Sequence, residues 1–152
     1  MEHIETLEDL EKFLDLKLGF YEAVPKIDHA GIRVSHVCEN IARHIKNGDR
    51  EAASIGYQLI VRDPHLPFGK LIKSGIARAL KQRIELISAV ERDALVGKTT
   101  ELLSLQFCPR ETEDYCKLIK RFGLAAAQNV IGNARVKNEK SKRLLDYMGR
   151  VT

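Results

Sequence analysis

Residues 48–82 read GDREAASIGYQLIVRDPHLPFGKLIKSGIARALKQ, and the fold is decided there: a helix, a turn punctuated by prolines, and a second helix. Asp49 stands where its side chain can cap Ala52. Ala52, Ile55, Leu59 and Ile60 then recur at helical spacing until Asp63-Pro64 breaks the run. His65-Leu66-Pro67 is the turn. Pro67 falls where a first-turn proline is tolerated, and Phe68, Leu71, Ile72, Gly75, Ile76, Ala79, Leu80, Ile84, Ile87 and Val90 continue one apolar face without a breaker. That spacing predicts a long helix reaching about Asp93. A helical hairpin of this size cannot bury its own apolar face, so neighbouring helices must cover it.

Working outward, Thr6 is an N-cap for a helix with Leu7, Leu10, Leu14, Leu18 and Tyr21 inward, expected to run to about Ala23 before Pro25. A second helix is expected from Asp28 to Lys46, with Ala30, Val34, Val37, Cys38, Ile41 and Ile45 buried and Asn47-Gly48 closing it. On the C-terminal side Gly97 reads as a helix boundary, with Thr99 or Thr100 capping a short helix that ends by Phe107–Pro109. Residues 110–122 read as a further helix ended by Gly123, and 125–134 is strong helix material. The polar stretch from Arg135 to Arg143 reads as either exposed helix or loop, with Leu144, Leu145 and Met148 docking the end. Strand signals are weak throughout. The expectation is a single all-α domain over residues 1–152: six or seven antiparallel helices forming a short helical-hairpin array or an irregular bundle.

Between residues 48 and 82 the pattern resembles a tetratricopeptide-type junction. Gly48-Asp49 precedes a helix, Ala52 lies within it, Asp63-Pro64 follows, and Gly75 and Ala77 sit in the next helix. His36, Glu39, Asn40 and Arg43 occupy the preceding positions where that family prefers an aromatic, Leu, Gly and Tyr, and HEAT-like or armadillo-like hairpins fit equally. The resemblance implies binding of a protein or peptide through a helical groove and names no ligand.

Composition is that of an ordinary globular chain, 44% apolar and 30% charged, with no low-complexity tract. No apolar run approaches the roughly 20 residues needed to cross a bilayer, and the first residues are acidic, so a cytoplasmic protein with no membrane partner is expected. Cys38, Cys108 and Cys116 show no CxxC spacing, which argues for free thiols over disulfides or zinc. Charge is polarised along the chain. Glu2, Glu5, Glu8, Asp9, Glu11 and Asp15 make the first helix acidic, whereas Arg135, Lys137, Lys140, Lys142, Arg143 and Arg150 make the end basic. The two can complement each other within a chain or between chains, the latter giving a homodimer.

Two groups of residues stand out as candidate binding sites. His29, Arg33, His36, Asn40, Arg43 and Asn47 alternate steps of four and three, so on one helix they form a polar stripe able to hold a peptide carboxylate or another anion. Lys70, Lys73 and Lys81, on the outer side of their helix, combine with Arg135, Lys137, Lys140, Lys142 and Arg143 as a basic surface suited to nucleic-acid phosphates. Aromatic interleaving for unpaired bases is lacking. Gly97-Lys98-Thr99-Thr100 has the last residues of a phosphate-binding loop, but Arg92 stands where the first glycine belongs and no strand precedes it. With no HxxxH pair, nucleophile elbow or activated cysteine, no catalytic residue, metal or cofactor is assigned. The sequence reading is therefore a non-enzymatic binding protein for a protein or peptide partner, with nucleic-acid binding as the alternative.

Overall fold

The computed structural model describes residues 3–21 and 34–150, and within them lie eight α-helices and no strand beyond an isolated bridge. α1 (Leu7–Leu14) opens with a reciprocal capping box between Thr6 and Asp9 and stops at Asp15, which takes a left-handed conformation. It is shorter than its apolar spacing predicts, because Leu18 reaches the core from the connecting segment and Tyr21 from a 3-10 turn, Gly19–Tyr21, and not from the helix. Ala23 and Pro25 lie outside the described residues.

α2 (Val34–Lys46) is the described part of the expected second helix. α3 (Arg50–Arg62) starts as anticipated, with Asp49 Oδ1 accepting from the Glu51 and Ala52 amides at 3.0 and 3.2 Å, and ends at left-handed Asp63. α4 (Gly69–Gln82) departs from expectation at its far end: instead of running to Asp93, the chain leaves it at Arg83 and passes through a 3-10 turn, Ile84–Leu86. Ser88 then caps α5 (Ala89–Leu103) in a second capping box with Glu91. Arg92 holds the break, donating to the Ile87 and Ile84 carbonyls at 3.1 and 2.7 Å. Phe68, Leu71 and Val90, assigned inward by spacing, are exposed.

Gly97 does not end a helix. Thr99 and Thr100 turn their hydroxyls back onto the Leu95 and Val96 carbonyls, each at 2.8 Å, a bond made inside a helix and not at its cap. The Gly97–Thr100 run is thus mid-helix and cannot cradle a phosphate. α6 (Thr112–Phe122) and α7 (Leu124–Asn133) are separated by Gly123 at φ 116°, a conformation that requires glycine. Asn138 accepts from the Ser141 amide at 2.8 Å and so starts α8 (Glu139–Gly149), splitting the C-terminal region into two helices and bringing the total to eight.

From α2 onward, second neighbours in the chain pack together: α2 on α4, α3 on α5, α4 on α6, α5 on α7 and α6 on α8, in addition to nearly all the sequential pairs. Their like ends meet. Arg83 at the end of α4 donates to the Lys46 carbonyl at the end of α2 (2.8 Å), and Arg50 and Glu91, in the first turns of α3 and α5, pair at 2.9 Å. Ser104 after α5 accepts from the Arg135 amide after α7 (3.0 Å), and Lys120 in the last turn of α6 donates to the Tyr147 carbonyl of α8 and the Arg150 carbonyl just after it, both at 3.1 Å. One contiguous apolar core runs through all eight helices.

Of the glycines in the hairpin, Gly56 is the one that sets a helix approach. A Cβ there would stand 2.7 Å from Ile76 Cγ2 and 3.0 Å from Ile45 Cδ1, whereas Gly75 and Gly97 have open space. Gly75→Ala and Gly97→Ala should therefore each raise the unfolding free energy by about 0.5–1 kcal/mol through backbone entropy and helix propensity, measurable by denaturant titration.

Candidate functional site

The polar stripe does not stay together as a surface. His29 and Arg33 lie outside the described residues. Asn40 is buried, with its amide donating to the Tyr21 carbonyl at 3.0 Å, so it anchors the 3-10 turn to α2. His36 is half-buried with Nδ1 3.9 Å from Glu39, while Arg43 and Asn47 are exposed. His44, one helical position from Arg43, packs against the Phe20 and Tyr21 rings and lies 3.6 Å from Asp49. The stretch of α2 bearing these residues is partly committed to holding the fold.

Lys73 departs from its expected place. It does not decorate the outside of α4; its ammonium is buried and donates to Asp63 Oδ1 at 2.6 Å and to the Pro64 carbonyl at 2.7 Å. Lys98 reaches the other Asp63 oxygen at 3.3 Å and Glu101 at 3.2 Å. The α3–α4 turn is thus held from inside by two lysines, and Lys73 is unavailable to any phosphate. Lys70 is exposed and Lys81 partly so.

The basic end of the chain fares differently. Arg135, Lys137, Lys142 and Arg143 are exposed and Lys140 half-buried. Because α6 and α8 pack with like ends together, Lys140 and Arg143 converge with Lys117 of α6 on one groove of 330 Å³. Leu144 and Tyr147 supply its apolar part and Glu113 its single carboxylate. Lys117 lies 3.7 Å from Glu113, while among the described residues neither Lys140 nor Arg143 has an ion-pair partner. The Lys120 ammonium sits 4.3 Å over the Tyr147 ring and fixes that ring at the groove's end. The sequence points to the cations of this groove as parts of a basic surface but does not single out Tyr147 or Leu144 as their apolar partners. The offset between α6 and α8 depends on the Gly123 break and the Asn138 cap, and their combined effect is not local.

Reactive groups are otherwise subdued. All three cysteines are buried, and burial pushes the Cys38 and Cys116 thiols up to about 12. Burial also raises the phenols of Tyr21, with Asp49 adding to it, and of Tyr115, with Glu111 and Asp63 adding to it. Among the described residues no cluster of three or more His, Cys, Asp or Glu side chains could hold a metal ion, and no helix is long and apolar enough to cross a membrane. The acidic α1 packs on α2, the basic α8 on α6 and α7. Compared with protein-family models, curated proteins and solved structures, the chain matches none.

Proposed function

We propose that the helices form a short two-layer array of hairpins, α2, α4, α6 and α8 in one layer and α3, α5 and α7 in the other, and that the α6–α8 groove holds an acidic segment of a protein or peptide partner. Second-neighbour packing with like ends together supports the array, since each hairpin in such an architecture stacks on the next in the same orientation. The groove carries the functional reading. It places three cations around an apolar floor in a space of 330 Å³, enough for a few side chains. Arg143 can grip a carboxylate bidentately while Leu144 and Tyr147 cover an adjacent apolar side chain.

The experiment is fluorescence anisotropy with a labelled Asp/Glu-rich peptide containing one Leu and one Phe. Wild type should bind it saturably, and Lys140→Glu with Arg143→Glu should weaken binding about tenfold or more, since like charges across an interface repel strongly. Unchanged affinity in a double variant with native circular dichroism would refute the groove.

Nucleic-acid binding stands as a second reading because Arg135, Lys137, Lys142 and Arg143 form an exposed cationic run. It requires duplex binding that weakens steeply as salt rises. The groove reading requires none at physiological salt.

A further inference from the structure

Three connections share one edge of the molecule: the α3–α4 turn (63–68), the α5–α6 loop (104–111) and the α7–α8 turn (134–138). Asp63 ties the first to the later part of α5 through Lys98, at 3.3 Å. The second and third are joined where Ser104 Oγ accepts from the Arg135 amide at 3.0 Å and the Asn138 amide donates to the Leu105 and Gln106 carbonyls at 3.1 and 3.4 Å.

This edge carries four large apolar side chains turned to solvent: Phe68 at 72% exposure, Leu71 at 60%, Leu105 at 42% and Phe107 at 80%. Single exposed apolar residues need no explanation, but two pairs on one edge, Phe68 with Leu71 at the start of α4 and Leu105 with Phe107 in the α5–α6 loop, do. Phe68 is moreover held at φ 55°, a left-handed conformation uncommon for a bulky residue. Lys70, Arg110, Arg135 and Lys137 are exposed beside them. Of the nearby carboxylates, Asp63 serves Lys73 and Lys98, Glu101 serves Lys98 and Glu111 is buried, which leaves exposed Glu139 against the four cations.

We propose that this edge docks the protein on an anionic lipid surface, the Phe and Leu side chains entering the boundary between headgroups and acyl chains while the flanking cations meet the phosphates. Aliphatic side chains gain from acyl chains and offer nothing to base stacking, and the phenylalanines stand on loop tips and not in a groove, so a bilayer fits better than unpaired nucleic acid. Docking of this kind needs no spanning helix. It is also independent of the α6–α8 groove.

Co-sedimentation of the intact protein with phosphatidylcholine vesicles, with and without phosphatidylserine, tests it. Binding is expected only to vesicles containing phosphatidylserine, weakened about fivefold by each of Arg135→Gln and Lys137→Gln and about tenfold by Phe107→Ser. These side chains are exposed, so circular dichroism should not change. Equal partition with both vesicle types, or full binding by Phe107→Ser, would overturn the proposal. So would capture of a poly-dT oligonucleotide, abolished by the same substitutions, with vesicles ignored.

Discussion

Asp63→Ala is expected to lower the unfolding free energy by about 3 kcal/mol, the range for removing one partner of a buried ion pair. The carboxylate joins Lys73 at 2.6 Å and Lys98 at 3.3 Å, and the Lys73 side chain is only 8% exposed. Without Asp63 the Lys73 ammonium keeps the Pro64 carbonyl but loses its counter-charge in a place where water cannot replace it. Alanine also tolerates the left-handed backbone at φ 54° less well than aspartate or asparagine. Asp63→Asn removes the charge but keeps an acceptor for Lys73 and the tolerance of the left-handed backbone, so the difference between the two variants measures those two contributions together. Adding Lys73→Met to Asp63→Asn should recover much of the loss, because an apolar side chain of similar shape no longer needs a partner. Urea denaturation reads all four proteins. An Asp63→Ala loss within about 0.5 kcal/mol, the size of an ordinary surface substitution, would show the staple to be ornamental.

Gly56→Ala gives the second large effect, and its sign sets it apart from the other helical glycines. Alanine gains about 1 kcal/mol of intrinsic helix propensity at either Gly56 or Gly75. At Gly75 nothing opposes that gain. At Gly56 the new methyl meets Ile76 Cγ2 at 2.7 Å and Ile45 Cδ1 at 3.0 Å, and the first of these is attached directly to the β-carbon and cannot swing aside. Overpacking of this sort costs about 1–3 kcal/mol, so the net result should be a loss of about 1 kcal/mol and a melting temperature lower by about 2–4 °C. Gly56→Val should lose more. A Gly56→Ala protein as stable as Gly75→Ala would mean that α3 does not approach α2 and α4 as closely as described.

Features with a local cause were legible in the sequence. Asp49 caps α3, Asp63-Pro64 ends it and Gly123 separates α6 from α7, because each depends on one residue's backbone preference or side-chain reach. The Ser88–Glu91 capping box was equally local, yet it stands within an apolar run whose periodicity continues across it, and the long helix drawn through it was wrong. Phe68, Leu71 and Val90 were misplaced for the same reason, since spacing identifies a face without showing where its cover stops.

Burial of polar residues was not legible. Asn40 and Lys73 have the composition of surface positions and become interior only because Tyr21 and Asp63 bring an acceptor to them. The Thr99 and Thr100 hydroxyls, cap candidates by sequence, instead satisfy carbonyls one turn back. The groove lay beyond sequence reasoning for a further reason. Its halves, Glu113 and Lys117 on α6 and Lys140 to Tyr147 on α8, meet through the placement of two helices with a third between them in the chain.

Backbone amide NMR during titration with the Asp/Glu-rich peptide tests the central claim most directly, because it locates the contact as well as detecting it. Shift changes should concentrate on residues 113–117 and 140–147, leaving Arg43 on α2 and Asn47 just after it unmoved. Changes centred on α2, or an even scatter over every exposed lysine and arginine, would contradict an α6–α8 binding groove.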